Sequence, residues 1–247
     1  MMRTANPALN DKTFQQVGTV GYSEAMTIQG TVNKTGMMLL LLIASAAYTW
    51  SLYIEGNSES LMMWMLVGMI GGLITAFVTV FKKEWSPVTA PVYAVLQGFA
   101  LGGISALFEA RFEGIVIQAV ALTFGTAGSL LVAYKSGVIK ATENFKMGVF
   151  AATGAIGLIY LVGIIMRFFG SGIPYIHESG LIGIGFSLVV VTIAALNLVL
   201  DFDFIEKGAE HGAPKFMEWY AAFGLMVTLI WLYLEILRLL SKLYSRK

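Results

Sequence analysis

The sequence predicts an all-α fold, a polytopic membrane protein whose seven transmembrane helices form one bundle. Three observations predict it. Seven apolar runs each come near the roughly 20 residues that cross a bilayer. Charged residues are only 13% of the 247-residue chain and hydrophobic residues 57%, whereas soluble domains carry roughly 25% charge. Mean hydropathy is +0.76, so a soluble fold of this size could not cover its apolar surface, while lipid would solvate it.

A polar segment, 1–35, precedes a membrane domain, 36–247. The segment carries Arg3, Lys12 and Lys34, and it has no short apolar run ending in a small-residue cleavage site. No removable signal peptide is therefore expected. The apolar runs lie at about 36–54, 61–81, 88–108, 115–134, 147–166, 180–200 and 217–240. Each is apolar without interruption, whereas a barrel strand alternates over only about ten residues. Helices are the consistent reading. The links are short, as in Lys82-Lys83-Glu84-Trp85-Ser86-Pro87 and Glu109-Ala110-Arg111-Phe112-Glu113-Gly114, so successive helices should be antiparallel neighbours. Gly68/Gly72 and Gly98/Gly102 are small residues four apart, which lets helix backbones approach closely. Their plain reading is packing; the sharper one is a hinge in a pore.

Lysine and arginine in short links set orientation. With the N-terminus inside, the inner segments hold Arg3, Lys12, Lys34, Lys82, Lys83, Lys135, Lys140, Lys146, Lys207 and Lys215. The outer ones hold Arg111, Arg167, Arg238, Lys242, Arg246 and Lys247. The last four run against the rule, and a re-entrant final segment would return them to the inside. The expected topology is an N-terminus inside and a C-terminus outside.

Several function classes fall away. A net charge of +1 offers no basic surface for nucleic acid. The absence of cysteine removes disulfides, thiolate metal sites and cysteine nucleophiles. The two histidines, His177 and His211, fall in links, so neither can serve a serine as a membrane-embedded base. His177-Glu178-Ser179-Gly180-Leu181 lacks the second histidine of a zinc protease. Gly183-Ile184-Gly185-Phe186 lacks the aspartate of an aspartyl intramembrane protease. The last run has no lysine to hold retinal, and no glycine loop with lysine offers a phosphate site. The expectation is a protein that is not an enzyme and holds no cofactor.

Charged side chains in a span are costly, so each suggests a function. The cores of the first five runs contain none. The acidic cluster Asp201-Phe202-Asp203-Phe204-Ile205-Glu206-Lys207 closes the sixth run and extends past it. If that helix continues, Asp203 and Lys207 can pair one turn apart. Asp201 and Asp203 would face roughly opposite sides, one into the bundle and one towards water. The plain reading is a solvated helix end; the functional reading is a buried carboxylate whose protonation sets a conformation. Glu235 lies in Leu232-Tyr233-Leu234-Glu235-Ile236-Leu237, apolar on both sides, with Arg238 three residues on and able to reach it.

These stretches resemble the Bax inhibitor motif family of seven-helix membrane proteins, and the start resembles one bacterial branch of it. The resemblance rests on Leu200 to Lys207 with Ala209-Glu210-His211-Gly212, on Tyr233-Leu234-Glu235-Ile236, and on Gln97-Gly98-Phe99-Ala100-Leu101-Gly102-Gly103. Asn6-Pro7-Ala8-Leu9 carries the bacterial part. It implies a pH-sensitive calcium leak in a bacterial inner (plasma) membrane, with the N-terminus cytoplasmic and calcium as the permeant ion. It also implies that two acids of the last two helices share a proton, here Asp201 and Glu235, with transient calcium contact. The alternative it implies is a non-conducting modulator of a membrane protease or other membrane complex, contacted through the links at 135–146 and 201–216.

The chain departs from that pattern. Glu replaces Asp at 235, and 34 residues separate the two acids, more than the family's usual gap. A hairpin centred near Gly212 would set Asp201 level with Phe223 and leave Glu235 about 18 Å further along the helix. If Pro214 to Gly224 lay in the interface instead, Glu235 would return to mid-membrane. Asp203 and Glu218 stay open as other members of an acidic pair, and Glu206 and Arg238 complete the candidates.

Overall fold

The structure, a computed structural model, describes residues 25–170 and 180–246. The Asn6 to Leu9 stretch, Arg3, Lys12 and His177 lie outside them. Among the described residues seven helices are long and apolar enough to cross a membrane. They are α1 (Ile28–Ile54), α2 (Ser58–Phe81), α3 (Ser86–Glu109), α4 (Ile115–Lys135), α5 (Glu143–Phe168), α6 (Leu181–Glu210) and α7 (Met217–Tyr244). The 3-10 turn Lys83–Trp85 leads into α3.

Helix ends follow capping chemistry rather than hydropathy. Thr27 caps α1, its hydroxyl accepting from the Gly30 amide at 2.9 Å, which satisfies an otherwise orphaned N–H. Asn57 caps α2 in the same way through Ser60, and Thr142 caps α5 through Phe145. Consequently α1 starts at Ile28, not near 36, and its first turns carry Thr31, Asn33 and Lys34. Helix α6 runs ten residues beyond the predicted 200, so the whole acidic cluster is helical. Gly212 closes the turn after Glu210 with φ +63, a left-handed conformation that costs glycine little.

The described residues fall into two compact units. One draws on 25–113 and 204–227, the other on 114–170, 180–203 and 228–246.

In the first unit α3 packs against both α1 and α2, and glycines make the approach possible. A Cβ at Gly98 would overlap Ser45 Oγ and the Leu42 carbonyl oxygen; one at Gly102 would overlap Thr49 Oγ1 and the Ala46 carbonyl oxygen. Gly68 does the same for α2 against the α3 backbone at Leu96 and Ala100. The packing reading of these glycines is thus the one the geometry carries. The start of α7 joins this unit through Tyr93 and Phe223, whose rings meet edge to face at 4.9 Å. Ser86 Oγ donates to the Phe216 carbonyl at 2.9 Å. The chain ahead of α1 is strapped to the α6–α7 turn, with the Met26 amide donating to the Ala213 carbonyl at 2.6 Å.

In the second unit α5, α6 and the end of α7 share an interior. Val149 and Leu200 are its buried pair, with Phe145 and Leu196 against them. The opposite face of α5 exposes Leu158, Leu161, Ile164 and Ile165, the apolar surface that lipid would cover.

Candidate functional site

Among the described residues, several charges inside the helices are buried and paired, some by residues far apart in the chain and one by residues a single turn apart. In the second unit Asp203, on α6, forms a salt bridge with Lys146 Nζ of α5 at 2.9 Å. The Lys146 side chain is only 1% exposed, and Glu143, one turn earlier, lies 3.5 Å from the same nitrogen. Asp201 is fully buried and Asp203 is 7% exposed. The expectation that one of them faces water is therefore corrected: a two-residue step does change helix face, but α6 is covered on both faces at this level. Glu206 is exposed, so only that end of the cluster is solvated.

Further along α5 a second pair forms. Glu235, 2% exposed, accepts from Arg238 Nη1 at 2.8 Å. The Tyr160 hydroxyl of α5 lies 3.0 Å from both carboxylate oxygens and itself accepts from Arg238 at 2.7 Å. Arg238 also stacks over the Tyr160 ring, 5.2 Å from its centroid. One turn on, buried Lys242 donates to the Gly183 carbonyl at 2.9 Å and to Ser187 Oγ at 2.8 Å. The charges at the end of α7 are thus tied to helices. Tyr160→Phe removes one partner from both Glu235 and Arg238 while leaving their own pair. It should lower stability by about 1–1.5 kcal/mol, read as a lower melting temperature in detergent; an unchanged melt would deny the hydroxyl a structural part.

Asp201 and Glu235 are not brought together. Lys146, beside Asp203, and Tyr160, beside Glu235, are 14 residues apart on α5, or about 21 Å along the helix. Asp201 lies two residues from Asp203 and belongs to that level. No shared proton and no single calcium site can join Asp201 to Glu235 over such a distance. Among the described residues no three His, Asp or Glu gather as metal ligands.

In the first unit Glu218 is fully buried at the start of α7. It forms an ion pair with Lys34 of α1 and accepts from the Thr27 amide at 3.0 Å and its hydroxyl at 2.9 Å. Lys215 approaches to 3.5 Å. Gly30 leaves the space, since a Cβ there would overlap the carboxylate. Lys34 also lies 5.5 Å from the Trp219 ring centroid. His211 sits in the turn after α6, as expected of a link residue, with Nδ1 2.7 Å from the Lys207 carbonyl.

Sequence reading treated Lys34 and Lys146 only as orientation charges and passed over Tyr160 and Thr27. One signal was available. Lys146, Thr153 and Tyr160 recur every seven residues, which places them on one face of a stretch, 146–166, that is otherwise apolar.

A family model described as Bax inhibitor 1 like matches residues 6–245, nearly the whole chain. No curated protein and no solved structure matches it.

Proposed function

The chain belongs to the Bax inhibitor 1 like family, and from that premise we propose that it is a calcium leak gated by buried carboxylates, passing the ion when they are ionised and slowing when they are protonated. The observation that carries the reading is that Asp203 and Glu235, inside spans, are each held by a cationic side chain. Charge in a span is expensive, and it persists where it serves passage or switching. Calcium binds carboxylate oxygen readily, so an ionised carboxylate that can exchange its lysine or arginine for the ion offers a transient stop. Protonation removes that attraction and leaves Lys146 and Arg238 with uncompensated positive charge. Acidification should therefore slow the leak. In this reading the protein is a conduit and not a catalyst, it holds no cofactor, and it lies in a bacterial inner membrane with its N-terminus in the cytoplasm.

The test is calcium release from liposomes containing only the purified protein. Asp203→Asn mimics the protonated acid and should slow release at neutral pH. Wild-type protein that releases no calcium sinks the leak and leaves the expected alternative, a non-conducting modulator of a membrane protease or other membrane complex.

A further inference from the structure

Helix α5 carries a polar line through its own span. Lys146, Thr153 and Tyr160 stand at seven-residue intervals, and an α-helix drifts by only about 20° per seven residues. Successive rungs are about 10.5 Å apart. Each rung meets a polar partner from a neighbouring helix of the same unit. Lys146 meets Asp203 at 2.9 Å. Thr153 Oγ1 accepts from Asn197 Nδ2 at 2.9 Å, and that amide also donates to the Ile193 carbonyl. Tyr160 meets Glu235 and Arg238.

Polar pairs between transmembrane helices can serve as adhesive. Adhesion does not require three pairs in register on one face. Nor does it require carboxylates at both ends and oxygen-bearing neutral groups between them. From Lys146 to Tyr160 the line covers about 21 Å, against a hydrocarbon core of about 30 Å. Carboxylate, amide and hydroxyl oxygens are the donors that calcium takes. Asn197 is 2% exposed, an interior position for an amide that a lipid-facing helix surface would not favour.

We propose that the permeating cation crosses along this face of α5, passing from Asp203 by way of Asn197 and Thr153 to Glu235. The inference rests on the leak reading and adds its route. Thr153 is the middle station. The lipid-facing side of α5, at Leu158, takes no part.

The chain has no cysteine, so one introduced thiol is the sole target of a thiol reagent. The probe is a trimethylammonium-ethyl methanethiosulfonate, a fixed cation that reacts only where water and cations reach. Thr153→Cys in liposomes should react, and most of its calcium release should then be lost. Leu158→Cys, 64% exposed on the outer face, should keep its release. Asn197→Cys repeats the measurement from α6 if the Thr153 variant folds poorly. Normal calcium release with unreactive thiols at 153 and 197, or with thiols that react without slowing release, overturns the route while the leak stands. Absence of release from every protein, wild type included, overturns the leak and the route with it.

Discussion

Replacing Lys34 with methionine should cost about 3–5 kcal/mol of stability, because it strands a buried carboxylate. Glu218 is fully buried and keeps only Thr27 and the more distant, exposed Lys215 once Lys34 is gone. The two hydrogen bonds from Thr27 do not neutralise its charge. Glu218→Gln in the same background keeps an oxygen acceptor for Thr27 without the charge, and it should recover most of the loss. A melting series in detergent over wild type, both single variants and the double variant gives the coupling directly. Additive losses would mean that the pair contributes nothing as a pair.

Gly98→Leu should do still more damage, since it attacks the contact of α3 with α1. Even the first added carbon overlaps Ser45 Oγ and the Leu42 carbonyl oxygen. Backbone cannot rotate away as a side chain can. Overpacking usually costs about 1–3 kcal/mol; here a whole side chain meets a backbone wall, so the loss should exceed that range and the purified protein should aggregate. Gly98→Ala should sit near the top of it. The control is Gly36→Ala on α1, where a Cβ meets nothing within 4 Å. It should be neutral or gain up to about 1 kcal/mol, the usual helix advantage of alanine over glycine. Equal melts for the Gly98→Ala and Gly36→Ala proteins would refute close approach as the role of Gly98.

The seven helices were legible because hydropathy measures what lipid sees, and the outer faces of α2 and α5 are apolar along their middles. Their ends were not. Thr31, Asn33 and Lys34 depress hydropathy in the first turns of α1, yet the Thr27 cap and the Glu218 pair hold those turns helical. The same holds for α6, which carries Asp201, Asp203 and Glu206 as helix rather than as a solvated end.

Within the site, only local pairing could be read. Glu235 and Arg238 are three residues apart on one helix, and they do meet. Lys34 and Glu218 are 184 residues apart, and no periodicity within either helix announces the other. Register counting did better than resemblance: it set Asp201 and Glu235 about 18 Å apart along an ideal helix, close to the separation of the levels at which their helices hold them. Asp201 and Glu235 therefore do not stand at one level, and the partner that Asp203 meets on α5 is Lys146.

The most direct measurement is the pH profile of calcium release from liposomes, wild type beside the Asp203→Asn/Glu235→Gln double variant. The account predicts wild-type release that falls as the pH drops from about 6 to about 3.5, across the ordinary carboxylate range. It predicts slow release without that fall for the double variant. A double variant that tracks the wild-type curve would contradict it.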